Sequence, residues 1–138
     1  WYRIYGRKGF IEYQAVVPFD SAYEAIFELL KKITKSKLGS AIAAVKPLTK
    51  SDGLISFPID GFTLAVDFAY SENLLPLLDQ LDRIVIASGG RVYLAKDARL
   101  SGKSFKQMYS NSLEKWELIR EKYQVKRNFT SAMFNRLQ

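Results

Sequence analysis

Three charged side chains, Lys96, Asp97 and Arg99, follow directly after the apolar residues 92–95 and the pair Gly89-Gly90. The glycine pair is expected to end a helix, and residues 91–95 then form a short strand that delivers the three charges where it stops. A strand that is buried on one face and ends in such a cluster is typical of a ligand-facing edge. A solvated turn after an edge strand is the alternative, and the pattern itself favours neither.

The residue types that are missing restrict the chemistry of any site. The chain contains neither histidine nor cysteine. Their absence excludes disulfides, cysteine nucleophiles and Ser-His-Asp triads, and it argues against a zinc site, so we expect no metal. Polar chemistry must therefore come from lysine, arginine, carboxylates, tyrosine, glutamine and threonine.

The chain is basic, with a formal net charge of +7. Such a balance indicates an anionic partner, such as nucleic acid, a phosphorylated ligand or an anionic membrane. The basic residues are scattered, and no arginine-rich motif or aromatic RNA-binding signature is present, so we expect no nucleic-acid partner. Neither a long apolar run nor a signal peptide is found, and we expect a cytoplasmic protein, with peripheral contact to the inner face of the membrane left open.

The elements that must position these residues follow from hydrophobic periodicity. Strands are predicted at residues 10–18, 40–48, 62–69 and 91–95, with helices between the first and second and between the third and fourth. This order is the split β-α-β unit of ferredoxin-like folds: an α+β domain in which two helices cover one face of a four-stranded antiparallel sheet. Residues 101–138 add a helical tail.

The first helix is predicted to begin at a cap supplied by Asp20 or Ser21, with Glu24 completing a capping box. Its predicted core-facing stripe consists of Tyr23, Ile26, Phe27, Leu30 and Ile33.

The second face of the sheet is left open by this arrangement. Alternation along the strands places small and polar side chains on it, namely Gln14, Ala44, Lys46, Thr63, Ala65 and Asp67. This mixture suits the floor of a ligand site or a domain interface. For Gln14 the alternatives are a ligand-binding amide or a plain exposed position.

The tail carries more apolar side chains than a small ferredoxin-like core can cover. Leu113, Trp116 and Ile119 form one stripe, and Phe129, Met133, Phe134 and Leu137 follow. We expect these groups to dock on a surface outside this chain or to form a subunit contact, which makes a homodimer one expected outcome.

Residues 12–18, 56–68 and 89–99, with the pair Met108-Tyr109, resemble the C-terminal part of FAD-linked oxidoreductases of the vanillyl-alcohol-oxidase type. Within that family the motifs are most similar to decaprenylphosphoryl-β-D-ribose oxidase-like proteins. The resemblance covers nearly all of residues 10–137, and the segment from the glycine pair to Lys96-Asp97 is its most specific part.

The resemblance implies a division of the chain. Residues 1–9 would be a linker or tail from an upstream region, residues 10–95 a ferredoxin-like substrate (cap) domain, and residues 96–138 a segment that packs on an FAD-binding domain. That domain, which would hold most of the FAD, is not in this chain: there is no phosphate-binding glycine loop. The fragment alone is expected to be inactive and to bind FAD weakly or not at all.

The resemblance also implies the reaction and its residues. The complete enzyme would oxidise a sugar- or polyol-type hydroxyl by hydride transfer to flavin. Lys96 would be the catalytic, flavin-facing cation, because a positive charge near the flavin stabilises its reduced form. Tyr93 would lie near the flavin, and the substrate would contact Gln14, Lys46, Thr63 and Ala65. Asp97 and Arg99 are expected to pair with each other or to hold the loop.

One departure from the family concerns the pocket floor. Thr63 and Ala65 stand where the decaprenylphosphoryl-β-D-ribose oxidase-like proteins have asparagine and then cysteine, so the same substrate is not implied. The substrate is expected to be a sugar or polyol, with an anionic or lipid-phosphate-linked group compatible with the basic charge. The alternative function, motivated by that charge and by the missing histidine, is a stand-alone ferredoxin-like binding or assembly module for an anionic ligand.

Overall fold

Four strands form one antiparallel sheet in the computed structural model, which describes residues 2–39 and 42–138, with the backbone alone at residues 126 and 127. The strands are β1 (Phe10–Pro18), β2 (Ala43–Leu48), β3 (Gly61–Ala69) and β4 (Arg91–Val92). Their spatial order is β2-β3-β1-β4, and every pairing is antiparallel. The predicted ferredoxin-like, α+β split β-α-β arrangement is therefore confirmed.

Helices before, between and after the strands complete the described part of the chain. They are α1 (Tyr2–Tyr5), α2 (Ala22–Ser36), α3 (Leu74–Ala87), α4 (Gly102–Met108), α5 (Ser110–Lys122), α6 (Val125–Asn128) and α7 (Ala132–Leu137). Single turns of 3₁₀-helix occur at Phe19–Ser21 and Leu94–Lys96. Among these helices none combines the length and the hydropathy needed to cross a membrane.

The hydrophobic core lies between the sheet and the helices α2 and α3. Alternate residues of β1 and β3 point into it, and they meet a broad apolar face of α3; its buried members include Tyr13, Ala15, Leu64, Val66, Phe68, Leu74, Leu78, Leu81 and Val85. The C-terminal segment also contributes buried side chains, namely Leu100, Phe105, Met108, Tyr109 and Leu137. Part of the tail therefore belongs to the core of this chain. Leu137 is buried in this core, whereas we expected it to dock on a surface outside the chain or to form a subunit contact.

The buried face of α2 agrees only in part with the predicted one. Ile33 is buried and Ile26 is packed inward as predicted, but Tyr23, Phe27 and Leu30 are exposed. The residues that pack inward are Ala22, Ala25, Leu29 and Ile33. Tyr23 is 80% exposed and Phe27 56% exposed, and their rings stack on each other at the surface. Two stripes of this helix satisfy the helical period. The stripe that contains the small alanines faces the sheet, because small side chains let the helix approach the sheet closely.

The predicted N-cap position of α2 is correct for Ser21, but the predicted capping hydrogen bonds are not formed. Ser21 occupies the N-cap position, but its side chain makes no capping hydrogen bond to the helix, and Glu24 forms no capping box with it. Instead, the Ser21 hydroxyl donates to the carbonyl oxygen of Ser88 at 2.9 Å, which ties the start of α2 to the end of α3. The 3₁₀ turn at Phe19–Ser21 leads the chain into the helix.

Two strand boundaries differ from the prediction. The fourth strand was expected to run to Ala95, but it ends at Val92, because the backbone then closes a 3₁₀ turn through the N–H of Lys96 and the carbonyl of Tyr93 (3.1 Å). The second strand begins at Ala43, and its expected start at residue 40 lies outside the described residues.

Candidate functional site

A shallow depression of about 190 Å³ lies on the face of the sheet opposite to α2 and α3, and we call it the sheet-face pocket. The residues lining it are Glu12, Gln14, Ile42, Ala44, Lys46, Thr63, Ala65, Asp67 and Lys96. Five of the six side chains predicted for the site therefore share one surface: Gln14, Lys46, Thr63, Ala65 and Lys96.

Strand register explains why these side chains meet. Gln14 on β1 lies opposite Ala65 on β3, and Ala65 in turn lies opposite Ala44 on β2. Lys46 lies opposite Thr63 in the next row on the same face. Because alternate residues of a strand share a face, three strands deliver two neighbouring rows of side chains to the pocket floor.

A hydrogen-bond relay fixes the amide of Gln14. Its Nε2 donates to the hydroxyl oxygen of Thr63 at 3.1 Å, and that hydroxyl donates to the carbonyl oxygen of Ala15 at 2.9 Å. Thr63 is only 3% exposed, so the relay is shielded from water. The polar group of Gln14 is thereby held in one orientation in the pocket floor.

Lys96 reaches the pocket from the 3₁₀ turn that follows β4. Its Nζ forms an ion pair with the Oε1 of Glu12, and both side chains remain partly exposed. Glu12 was not among the predicted site residues. The signal was nevertheless in the sequence, because the alternation that turns Gln14 to this face turns Glu12 to it as well.

Tyr93 lies beside the pocket and does not line it. Its ring stacks on Phe57, with centroids 4.5 Å apart, and its backbone N–H donates to the carbonyl oxygen of Gln14 at 2.8 Å. The Arg91 guanidinium donates to the carbonyl oxygen of Ser56 at 2.8 Å in the same region. The loop before β3 therefore covers the face near β4, which explains why Val16 is fully buried on a face that was expected to be open.

Asp97 and Arg99 hold the loop after Lys96, but their side chains do not pair with each other. The Oδ1 of Asp97 accepts from the backbone N–H groups of Arg99 (2.9 Å) and Leu100 (2.8 Å). Its Oδ2 accepts from Arg136 of α7 at 2.8 Å. The predicted ion pair between the Asp97 and Arg99 side chains is therefore wrong. The alternative prediction, that Asp97 and Arg99 hold the loop, is confirmed.

The guanidinium of Arg99 binds two carboxylates of α3, Asp79 at 2.8 Å and the buried Asp82. Asp82 also accepts from the Tyr13 hydroxyl at 3.1 Å. Burial raises the pKa of Asp82, although Arg99 opposes this, and burial raises the pKa of Tyr13 well above its usual value. This network, on the helix side of the sheet, anchors the segment that carries Lys96.

The charges in the sheet-face pocket balance. Two ammonium groups, Lys46 and Lys96, share it with two carboxylates, Glu12 and Asp67. Asp67 accepts from the hydroxyl of Tyr5 at 3.0 Å, so α1 packs at the rim. The pocket therefore presents hydrogen-bond donors and acceptors beside small apolar side chains.

Comparison with known proteins gives two relatives of interest, whereas no family profile matches the chain. The chain is 36% identical to decaprenylphosphoryl-β-D-ribose oxidase of Mycolicibacterium smegmatis over 139 residues, which cover all of the chain and 30% of that protein. It is 38% identical over 88 residues to an uncharacterized protein in the mprA 5′ region of Streptomyces coelicolor, covering 63% of the chain and 24% of that protein. The chain thus spans less than a third of the length of these relatives. The resemblance predicted from the motifs is confirmed: along its whole length, the chain is similar to one part of a longer decaprenylphosphoryl-β-D-ribose oxidase.

Proposed function

We propose that this chain supplies the substrate-binding cap of an FAD-dependent oxidoreductase that oxidises a sugar- or polyol-type hydroxyl. The observation that carries the proposal is the sheet-face pocket, which brings Gln14, Lys46, Thr63, Ala65 and Lys96 together from separate elements. The similarity to an oxidase along the whole chain supports the same reading.

The pocket floor fits a flat aromatic cofactor. Ala44 and Ala65 lie opposite each other on β2 and β3, and their methyl groups leave the sheet surface close to any ring laid on it. Lys96 at the rim would supply a cation to the ring edge. When bound, FAD would supply the hydride acceptor, and the residues of this chain would hold the hydroxyl-bearing carbon towards it while the hydroxyl proton passes to solvent.

The side chains of this chain would bind and orient the substrate. The fixed amide of Gln14 and the ammonium of Lys96 offer hydrogen bonds to hydroxyl groups, and the carboxylate of Asp67 accepts hydrogen bonds from others. The Mycolicibacterium smegmatis relative is named for its action on a lipid-phosphate-linked ribose. We propose a substrate of that class here, with Thr63 and Ala65 adjusting the fit.

The rest of the enzyme would come from outside this chain. In this proposal residues 1–9 are a linker, residues 10–95 form the cap, and residues 96–138 form a segment that packs on the FAD-binding domain. An apolar groove of about 620 Å³, lined by Leu94, Phe105, Leu113, Trp116 and Phe134 among others, supports the last assignment. Such a groove is the kind of surface that a neighbouring domain covers.

The test uses the complete natural protein that carries this chain. We expect it to purify yellow, and we expect its flavin to bleach anaerobically on addition of a short-chain polyprenylphosphoryl-β-D-ribose. Lys96→Met should slow bleaching by roughly a hundredfold, and the 138-residue chain alone should purify colourless. A complete protein from which no flavin can be extracted would overturn the proposal. In that case, tight binding of a phosphorylated sugar by the chain alone would favour the stand-alone binding module.

A further inference from the structure

Glu12 and Asp67 form an unusual cross-strand pair. They lie directly opposite each other on β1 and β3, and both side chains line the sheet-face pocket. Like charges at directly opposed positions of an antiparallel pair destabilise a sheet. Each carboxylate has its own partner here, because Asp67 accepts from the Tyr5 hydroxyl at 3.0 Å and Glu12 pairs with Lys96.

The two ends of Lys96 are held by different groups. Its backbone lies in a 3₁₀ turn that precedes Asp97. The carboxylate of Asp97 accepts hydrogen bonds from the backbone N–H groups of Arg99 and Leu100 and from the side chain of Arg136. The ammonium, four flexible methylene groups away from that backbone, is held by Glu12. Glu12 is thus the group that decides where over the pocket the charge of Lys96 lies.

We propose that Glu12 is a positioning residue, which holds the Lys96 ammonium over β1 so that it orients the reacting hydroxyl. The inference rests on the proposed function and adds a residue to it. It also bears on the substrate, since a lysine already paired with a carboxylate is a good donor to a neutral hydroxyl and a poor trap for a free phosphate.

Kinetics of the complete natural protein test this role. Anaerobic flavin bleaching is followed with short-chain polyprenylphosphoryl-β-D-ribose over a range of concentrations. We expect Glu12→Gln to lower the limiting bleaching rate by about tenfold, with a change of less than about threefold in the half-saturating concentration. The double variant E12Q/K96M should be no slower than K96M, because Glu12 acts through Lys96.

Glu28→Gln is the matched control, since Glu28 pairs with Lys31 at 3.0 Å on α2, away from the pocket. It should bleach at the wild-type rate. A second readout needs no flavin: carbon-13 relaxation of the Lys96 ε-methylene in the 138-residue chain should show greater mobility in E12Q than in wild type or E28Q.

The outcomes separate the two proposals. If the wild-type flavin does not bleach, the proposed function fails and this inference fails with it. If wild type and E12Q bleach at equal rates, if the losses in E12Q and K96M multiply in the double variant, or if the mobility of Lys96 is unchanged, this inference alone is overturned.

Discussion

The hydroxyl of Thr63 serves two partners at once, because it accepts from the Gln14 amide and donates to the carbonyl oxygen of Ala15. Thr63→Val keeps the shape of the side chain and removes both hydrogen bonds. We expect a loss of about 1–2 kcal/mol in the free energy of unfolding, measured by urea denaturation. Thr34→Val is the control, because the exposed hydroxyl of Thr34 donates to the carbonyl oxygen of Leu30 within α2. Loss of this hydrogen bond should lower the free energy of unfolding by about 0.5 kcal/mol or less. Equal losses in the two variants would contradict the buried relay.

Tyr109 is expected to make the free energy of unfolding depend on pH in the alkaline range. Its buried hydroxyl donates to the carbonyl oxygen of Val92 at 3.0 Å, and burial raises its pKa to about 12, although nearby Arg91 opposes the shift. An unfolded tyrosine has a pKa of about 10, so the unfolded state releases its proton first. The stability that Tyr109 contributes is therefore fully present below pH 10 and is lost as the pH rises from about 10 to 12.

The variant Tyr109→Phe tests this titration. Because phenylalanine cannot ionise, the fall in unfolding free energy between about pH 10 and 12 should be smaller in the variant by roughly 2 kcal/mol. Urea denaturation at several alkaline pH values measures it. The control Tyr123→Phe, at a position 65% exposed, should fall as steeply as wild type. The same slope in Y109F and wild type would refute the assignment.

At the scale of the elements, the passage from α3 into β4 depends on Gly90. A Cβ placed there would lie 2.4 Å from the carbonyl oxygen of Val16 and 3.0 Å from the Cγ1 of Val85, so β4 could not approach β1. We expect Gly90→Ala to lower the unfolding free energy by about 3 kcal/mol or more, or to prevent folding. At Gly39 a Cβ would meet nothing within 4 Å, and Gly39→Ala should change stability little. Similar stabilities of the two variants would contradict this account.

Periodicity predicted elements well where one pattern stood out. The alternation in β3 and the broad apolar stripe of α3 had a single solution, and both lie as expected. In α2 two stripes satisfied the helical period, and the sequence could not show that close packing on the sheet prefers Ala22 and Ala25 to Tyr23 and Phe27.

The site was predictable to the extent that it follows from strand faces. Gln14, Lys46, Thr63 and Ala65 lie on the face that alternation assigned to them. The partner of Glu12 was not predictable in this way, because Lys96 is 84 residues away and arrives through a 3₁₀ turn. The stacking of Tyr93 on Phe57 depends in turn on how a loop folds over the sheet, which no periodic pattern encodes.

At the scale of the whole molecule, two apolar surfaces among the described residues are candidates for the place where further protein would pack. One is the groove between α4, α5 and α7, where the Trp116 ring lies 6.3 Å from the rings of both Phe105 and Phe134. Arg120 packs at its back, with its guanidinium 3.6 Å from the Phe134 ring centroid. The other is the exposed pair Tyr23 and Phe27 on α2.

The groove is concave, and helices form its walls. One side of these helices packs on the core of this chain, and the other side lines the groove. If residues 96–138 pack on an FAD-binding domain, covering the groove should slow local opening of α5 and α7. Hydrogen exchange followed by mass spectrometry can compare the 138-residue chain with the complete natural protein. We expect backbone amides of residues 110–122 and 132–137 to exchange at least about tenfold more slowly in the complete protein, and those of residues 22–36 to be unchanged. If only the amides of residues 22–36 are protected, the docking surface lies on α2 and not at the groove. Protection of the groove that instead grows with the concentration of the chain alone would show that a second copy covers it.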